Sequence, residues 1–236
     1  MNLFKYPLFA PRAIRDVECV NADITAWEYI GAGMIRACYR VPGKMECVKF
    51  YRTTEEPQRK WKLDTYWRIH VTRHLFWFNI NMQEWRYYER LKKRLPVDLM
   101  CVFPETMKPV YSPRCGWGVK ETLLLNYDGS PVRSVAWEMR NLKDRAKQES
   151  LFGCLRELCE QLIKHTVAMH DPQNILLQWG APDVYRLRIA DFEPRTKALI
   201  PGLTYIRPYI RRRVRNRCLR YLNYLRQEIL NGKNGD

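Results

Sequence analysis

The sequence predicts an α+β fold in which the first half is rich in strands and the second half is helical. Short runs that alternate polar and apolar residues dominate up to residue 125, and a single amphipathic helix interrupts them. From residue 134 onwards two long helical segments carry a stripe of leucines, and a short hairpin follows them. Dense turn residues at 126–131, NYDGSP, separate the two patterns. We therefore predict two lobes, residues 1–125 and residues 126–236.

The composition indicates a folded protein without a membrane span. Hydrophobic residues make up 46% of the 236 positions, which is enough to build a core, so a disordered chain is not the default expectation. No apolar run is long enough to cross a bilayer, and the first twelve residues lack the pattern of a secretory signal. The expected location is cytoplasmic. The eight cysteines form no C-x-x-C pair, which favours buried thiols over a zinc or redox site.

Five strands are predicted in the first lobe. They are expected at 25–30, 37–41, 46–51, 101–111 and 119–125. A glycine turn at 31–33 follows the first strand. A second turn, through Pro113 and the residues GWG at 116–118, is expected to join the last two strands.

One helix is predicted in the same lobe. Trp85, Tyr88 and Leu91 recur at intervals of three, and this spacing predicts an amphipathic helix from Met82 to Arg94. The aromatic segment 53–80 that precedes the helix has no clear period, and the sequence assigns it no role.

The second lobe is predicted to be mainly helical. Helices are expected at 134–147 and 149–169, and the second carries a core stripe. The stripe consists of Leu151, Leu155, Leu158, Leu162 and Ile163. A hairpin follows, with strands at 175–178 and 187–190 around a turn at 180–183.

The net charge of +16 is concentrated near the end of the chain. Seven arginines and no acid lie between Arg207 and Arg220. Such a stretch can neutralise nucleic-acid phosphates, dock on an anionic lipid surface or an acidic protein, or form the solvated face of a helix. An apolar side for that helix is available from Val214, Leu219, Leu222, Leu225 and Ile229. All three interpretations stay open.

The first lobe contains a candidate phosphate site. Gly31 and Gly33 lie between two predicted strands, where glycine lets backbone N–H groups approach a phosphate. Lys49 lies in the middle of the third strand, the position of the phosphate-binding lysine in protein kinases. Such a lysine needs a carboxylate to orient it. Glu84 on the following helix is the expected partner, with Glu89 as the alternative.

The second lobe contains a candidate metal site. The loop MHDPQN at 169–174 follows a long helix and enters the hairpin, as the catalytic loop of a kinase does. The hairpin leads to the residues DFE at 191–193. Asn174 and Asp191 are therefore expected to face each other as oxygen ligands of Mg²⁺. The prediction requires Lys49, Asn174 and Asp191 to share one cleft that binds ATP.

Several short pieces of the sequence resemble one known family. They are, in order, IGAG at 30–33, ACYR at 37–40, CVK at 47–49, EWRYYERL at 84–91, GWG at 116–118, DGSP at 128–131 and PQNIL at 172–176, followed by Asp191. Together they resemble the YrbL family, the PhoP regulatory network proteins of the protein-kinase-like superfamily. The resemblance implies a two-lobed protein-kinase-like fold with a reduced helical second lobe. It also implies a nucleotide site and a link to bacterial envelope-stress regulation, without a known phosphate acceptor.

The catalytic loop departs from the kinase pattern. The base of a kinase lies five residues before the asparagine, and that position is Met169, which cannot accept a proton. Asp171 and His170 are the candidate substitutes. Glu193 also replaces the glycine of the Asp-Phe-Gly element. The resulting hypothesis is an atypical kinase or a pseudokinase that binds ATP and Mg²⁺. The alternative is a non-catalytic protein whose arginine-rich helix binds nucleic acid, anionic lipid or an acidic protein.

Overall fold

The α+β class predicted from the sequence is confirmed. The computed structural model describes residues 17–20, 24–32, 35–52, 71–169, 171–192 and 207–231. The chain forms two compact units. Unit 1 comprises the described residues of 1–90 and 105–123, and unit 2 comprises those of 91–104 and 124–236.

Unit 1 is built on a six-stranded sheet. Its strands are β1 (Glu18–Cys19), β2 (Tyr29–Ala32), β3 (Arg36–Arg40), β4 (Glu46–Tyr51), β5 (Met107–Ser112) and β6 (Gly116–Thr122). The spatial order is β1-β5-β6-β4-β3-β2, and every neighbouring pair is antiparallel except β1 with β5. The sequence analysis missed β1. It also began the first strand too early, since Ile24–Ala26 forms a short 3₁₀ helix.

Helix α1 (Ile80–Lys92) follows β4 in the chain and begins two residues earlier than predicted. Asn79 caps it, because its Oδ1 accepts hydrogen bonds from the backbone N–H of Asn81 at 2.8 Å and of Met82 at 3.3 Å. The amide groups of Asn79 and Asn81 both donate to the carbonyl oxygen of Trp117, at 3.2 and 3.0 Å. These bonds attach the start of the helix to β6.

The two faces of the sheet carry different residues because side chains alternate along each strand. On β4, Val48 and Phe50 are fully buried in an apolar cluster on one face. Lys49 and Tyr51 point to the opposite face, where Tyr51 packs with Ile80 at the start of α1. The charged residue in the middle of β4 therefore lies on the face that α1 covers.

The glycines of GWG do not form the predicted turn. The turn lies at 113–115, so Pro113 belongs to it as predicted, but Gly116 and Gly118 belong to β6. Both glycines allow close packing, and Gly116 also has a positive φ of 78°, a backbone conformation that favours glycine. A Cβ atom on Gly116 would lie 2.3 Å from the carbonyl oxygen of Arg73, and one on Gly118 would lie 2.4 Å from the ring of Phe50.

Unit 2 combines helices with a three-stranded sheet. Its elements are α2 (Val97–Met100), β7 (Arg133–Ser134), α3 (Val135–Asn141), α4 (Arg145–Lys164), a 3₁₀ helix (Pro172–Asn174), β8 (Ile175–Ala181), β9 (Val184–Ile189) and α5 (Arg207–Asn231). The sheet has the order β7-β8-β9. The hairpin of β8 and β9 pairs Ile175 with Ile189. A hairpin after two helices is therefore present as predicted, with longer strands.

The first of the two helical segments before the hairpin ends six residues earlier than predicted, and the second begins four residues earlier. Helix α3 ends at Asn141, and Asp144 caps α4 by accepting hydrogen bonds from the N–H groups of Ala146 and Lys147. Four members of the predicted core stripe are buried, namely Leu151, Leu155, Leu158 and Leu162. Their spacing of three and four residues places them on the buried side of α4.

Residues 91–104 belong to unit 2, which differs from the predicted division at residue 125. The segment is tied to the hairpin by backbone and ring contacts. The N–H of Ile189 donates to the carbonyl oxygen of Val102 at 2.7 Å, and Arg188 donates to that of Cys101. The rings of Phe103 and Phe192 pack edge to face at 4.9 Å. No local sequence pattern reveals such distant contacts.

Helix α5 buries a different stripe from the one predicted. Val214 and Leu225 are buried, as expected, and so are Cys218 and Tyr221, which the prediction did not include. Leu219 is 46% exposed and lies on the other side of the helix. The four buried positions follow a spacing of four, three and four residues, which is one helical stripe. Among the helices that the structure describes, none is long and apolar enough to span a membrane.

We predict that Gly118→Ala lowers the free energy of unfolding by about 1–3 kcal/mol, because the added methyl group overlaps the ring of Phe50. Gly153→Ala is the matched control, since a Cβ atom there meets no atom within 4 Å and the residue lies inside α4. The control should gain about 0.5–1 kcal/mol. Urea denaturation measures both variants, and equal stability of the two would contradict the packing described here.

We also predict an acid-dependent loss of stability at His74. Burial and the neighbouring charge of Arg73 lower the pKa of His74 to about 4. Its Nε2 accepts a hydrogen bond from Arg73 at 3.0 Å, which requires the neutral ring. A lowered pKa stabilises the fold above the unfolded value near 6.5, and this contribution is lost as the pH falls from 6.5 towards 4.

The measurement is the free energy of unfolding at pH 7 and pH 4.5 for the wild type and His74→Gln. The wild type should lose on the order of 1 kcal/mol more than the variant over this interval. The same pH dependence in both proteins would show that His74 is not the group responsible.

Candidate functional site

The structure places six of the eight predicted site residues. Gly31 lies in β2, Lys49 in β4 and Glu84 in α1, all within unit 1. In unit 2, Asp171 and Asn174 border the 3₁₀ helix, and Asp191 follows β9. The other two, Gly33 and His170, lie outside the described residues, as does Glu193. Lys49 belongs to one unit and the predicted magnesium ligands to the other, so their convergence stays a prediction.

Lys49 is paired with a carboxylate that the sequence analysis did not consider. Its Nζ lies 2.7 Å from Oε1 of Glu121, and the two side chains are only 12% and 7% exposed. Lys49 is aligned with Val119 across β4 and β6, and Cys47 with Glu121, so Glu121 is a diagonal neighbour on the same face. The pair depends on contact between strands seventy residues apart, which no local pattern predicts.

Glu84 is fully buried on α1 and forms an ion pair with Arg36 of β3. The same guanidinium donates to Oδ1 of Asn81 at 3.2 Å. The sequence analysis expected Glu84 to orient Lys49. In the structure Lys49 forms an ion pair with Glu121 and Glu84 forms one with Arg36, and the charge of Glu84 also raises the pKa of Lys49, so both members of the predicted pair belong to one group of charges. Arg36 of β3 is aligned with Tyr51, at the end of β4. From this neighbouring strand its side chain reaches Glu84 on α1.

These four side chains form a charge cluster, Arg36, Lys49, Glu84 and Glu121, between the sheet and α1. Burial alone would lower the pKa of Lys49, but the charges of Glu121 and Glu84 raise it above its ordinary value. Lys49 is therefore cationic. Burial raises the pKa of Glu121, and Lys49 opposes this shift. Two cations thus face two carboxylates in a nearly water-free site.

Not every oxygen of the charge cluster is satisfied. Oε1 of Glu84 and Oε2 of Glu121 are buried and accept no hydrogen bond from any part of the chain that the structure describes. Buried carboxylate oxygens normally have a donor, because leaving one without a partner costs on the order of 1–3 kcal/mol. An unsatisfied buried oxygen can be explained by a bound water or ion or by a functional role.

Gly31 leaves open space at the end of the sheet. It is aligned with Cys38 in β3, and a Cβ atom built on it meets nothing within 4 Å. Its surroundings therefore do not require glycine for packing, in contrast to Gly118. The open space is compatible with a ligand that approaches the backbone.

The predicted magnesium ligands lie at the open end of the hairpin in unit 2. Asn174 immediately precedes β8, and its carbonyl oxygen accepts a hydrogen bond from the N–H of Ala190 at 3.2 Å. Asp191 is the next residue after Ala190, so the backbones of the two predicted ligands are adjacent. Phe192 is fully buried against Phe103 and anchors the segment that carries Asp191.

Asp171 acts as a cap in this structure. Its Oδ1 accepts a hydrogen bond from the N–H of Gln173 at 3.0 Å, at the start of the 3₁₀ helix. Met169, at the position of a kinase base, is buried, and its carbonyl oxygen accepts a hydrogen bond from Arg217 of α5. The loop is thus held by its own cap on one side and by an arginine on the other.

The donor set of unit 2 suits a hard cation only in part. Among the described residues, no group of three or more His, Cys, Asp or Glu side chains is placed to hold a metal ion. Asn174 and Asp191 provide an amide and a carboxylate oxygen, and Mg²⁺ commonly takes one or two protein oxygens together with water and phosphate. Two protein ligands are therefore compatible with Mg²⁺ bound to a nucleotide.

Comparison with known proteins identifies no family. No protein-family model matches the sequence, and no curated protein matches it. The resemblance to the YrbL family consequently stays an expectation based on the short pieces of sequence described above. The fold and the site define an α+β protein with a buried charge cluster in one unit and, in the other, a hairpin flanked by Asn174 and Asp191.

We predict strong coupling between Lys49 and Glu121. Either Lys49→Met or Glu121→Gln should lower the free energy of unfolding by about 3–5 kcal/mol, because the remaining partner is left buried and unpaired. The double variant should lose at least about 1 kcal/mol less than the sum of the single variants. Urea denaturation of the four proteins measures this coupling.

The control is a second double-mutant cycle on Arg145 and Glu149 of α4, whose side chains are 57% and 63% exposed. Their coupling should be about 0.5 kcal/mol or less, as is usual for exposed pairs. Equal coupling in the two cycles would mean that the Lys49 pair behaves like a surface ion pair.

Proposed function

We propose that this protein is a kinase-like protein that binds ATP together with Mg²⁺. In unit 1, Lys49 would contact the α- and β-phosphates, and the backbone at Gly31 would lie close to them. Glu84 and Glu121 would hold the charge cluster in place around the lysine. In unit 2, Asn174 and Asp191 would provide the oxygen ligands of the metal ion.

The observation that carries the proposal is the position of Lys49. It lies in the third of three consecutive antiparallel strands, β2, β3 and β4, and the first of these contains Gly31. The next long element is α1, with a buried glutamate on the side that faces the lysine's charge cluster. Protein kinases place their phosphate-binding lysine in the third strand and a glutamate on the helix that follows.

The charge state of Lys49 suits this role. Its raised pKa keeps the ammonium group charged, and a buried cation attracts a phosphate more strongly than a solvated one does. An ammonium group has three N–H donors, so it can bind a carboxylate and a phosphate oxygen at the same time. The pair with Glu121 at 2.7 Å is therefore compatible with nucleotide binding.

The loop of unit 2 supports binding of a nucleotide more than efficient transfer of its phosphate. Met169 cannot accept a proton, and the carboxylate of Asp171 is engaged as a helix cap. General-base assistance contributes a limited part of phosphoryl transfer, which depends mainly on positioning and electrostatics. We therefore propose a nucleotide-binding protein in which any transfer is slow, with Asp171 or His170 as the assisting base.

The biological role proposed here follows from the sequence resemblance alone. Membership of the YrbL family would imply a role in bacterial envelope-stress regulation. Nucleotide binding with slow turnover fits a regulatory protein, since the bound state itself can then act as the signal.

We predict that ATP with Mg²⁺ raises the melting temperature of the wild type by several degrees. At a ligand concentration of about 100 times the Kd, binding adds about 2.7 kcal/mol of stability. The increase should disappear in Lys49→Met and should lose its dependence on Mg²⁺ in Asp191→Asn. Thermal unfolding with and without each ligand measures the shift relative to each protein's own baseline.

The matched control is Lys120→Met. Lys120 is also a mostly buried lysine of the sheet, paired with Glu18 and Glu46, but it lies one strand over in β6 and points to the opposite face. Lys120→Met should leave the rise in melting temperature caused by ATP and Mg²⁺ unchanged. Turnover is measured separately, as release of ADP by the wild type compared with release by Asp191→Ala. An unchanged shift in Lys49→Met, or no shift in the wild type, would refute the proposal.

A further inference from the structure

Unit 2 contains a cavity of about 800 Å³ beside α5. Four arginines line it, Arg212, Arg213, Arg217 and Arg220. Three tyrosines of the same helix, Tyr209, Tyr221 and Tyr224, also line it. The cavity belongs entirely to unit 2, so it does not depend on the nucleotide site proposed at Lys49.

The cavity is strongly cationic. Among the described residues that line it, Asp171 is the one acidic side chain, against four arginines. Burial lowers the pKa of Arg217, and the nearby positive charges of Arg213 and Arg220 lower it further, while Asp171 opposes them. Crowding of like charges costs free energy, and an anion bound among them would recover it.

Two of the four arginines and one of the tyrosines are held in place before any ligand binds. Arg217 donates to the carbonyl oxygen of Met169, and Nε of Arg220 donates to that of Asn216 at 3.2 Å. Tyr224 accepts a hydrogen bond from Arg140 of α3, whose guanidinium lies 5.9 Å from its ring centre. Preorganised side chains lose little conformational entropy on binding, which favours affinity.

The packing of α5 explains why these arginines are gathered in one place. The stripe of Val214, Cys218, Tyr221 and Leu225 is buried, which fixes the rotation of the helix. Arg213, Arg217 and Arg220 then follow one another at intervals of four and three on the flank of this stripe. Arg211 and Arg215 are exposed and are not part of the cavity lining.

The shape of the site discriminates between possible ligands. A cavity of about 800 Å³ falls in the range of small-molecule sites, roughly 300–1,000 Å³. A nucleic acid is usually bound by a basic stripe or groove that extends along several nucleotides of its backbone. Here four of the seven arginines between Arg207 and Arg220 are gathered around one site of limited volume instead. Guanidinium groups can form bidentate hydrogen bonds with phosphate oxygens, and tyrosine rings can pack against the organic part of a ligand.

We propose that this arginine cavity binds a small molecule that carries two or more phosphate groups. Two sources share this chemistry, a soluble metabolite with two or more phosphates and the headgroup of a phosphoinositide that carries several phosphates. Each phosphate group would be bound by two arginines. The carboxylate of Asp171 would repel a ligand that placed further negative charge next to it. The site is independent of ATP, so Lys49→Met should retain it.

The test measures binding of fructose 1,6-bisphosphate by titration calorimetry in the absence of nucleotide, and in parallel binding to vesicles that contain phosphatidylinositol 4,5-bisphosphate. Arg212→Gln/Arg220→Gln removes two cavity charges. Arg211→Gln/Arg215→Gln removes two charges from the same helix outside the cavity. All four arginines are exposed, so neither variant should disturb the core. Melting temperatures check that both variants fold.

The cavity variant should weaken binding by roughly tenfold or more, and the control variant by less than about threefold. Loss confined to the cavity variant with the soluble bisphosphate supports the proposal with a metabolite as the source. The same loss seen only with vesicles supports it with a lipid headgroup. Equal weakening in both variants, no binding to either probe, or tighter binding of a single-stranded RNA oligonucleotide would overturn it.

Discussion

The buried charge cluster between the sheet and α1 is the constraint on which unit 1 depends. Arg36, Lys49, Glu84 and Glu121 lie where water hardly reaches, and a buried charge without a partner would cost several kcal/mol. The helix must therefore stay in register with the strands. Bonds from the start of α1 to the carbonyl oxygen of Trp117 provide this register. Apolar packing alone would allow α1 to slide, and the charges remove that freedom.

Unit 2 combines two features that share one short loop. Asp171 caps the 3₁₀ helix that leads to Asn174 and also lines the arginine cavity, and Arg217 binds the loop through Met169. A ligand in the cavity would thus contact the residues that position the hairpin. Part of the large positive net charge of the chain is located at this cavity, because a group of arginines lines it while other arginines remain exposed to solvent.

Local patterns predicted many elements of the fold. The predicted strand at 46–51 agrees with β4, and four of the leucines predicted to form a core stripe are buried on α4. Alternation and helical spacing can both be recognised from residues that are close together in the sequence. The adjacency of Asn174 and the segment before Asp191 followed from the hairpin pattern. The GWG turn failed because two glycines suited to a turn serve close packing, against the Phe50 ring and the Arg73 backbone. Glycine alone does not distinguish these uses.

Sequence by itself determined the class of the fold, the position of Lys49 in a strand and the amphipathic character of α5, since each depends on neighbours along the chain. Tertiary structure alone decided that Glu121 pairs with Lys49, that Arg36 takes Glu84, and which arginines share a cavity. The physical reason is distance along the chain. Ion pairs and cavities depend on which strands and helices meet, and that choice is made by packing of the whole unit.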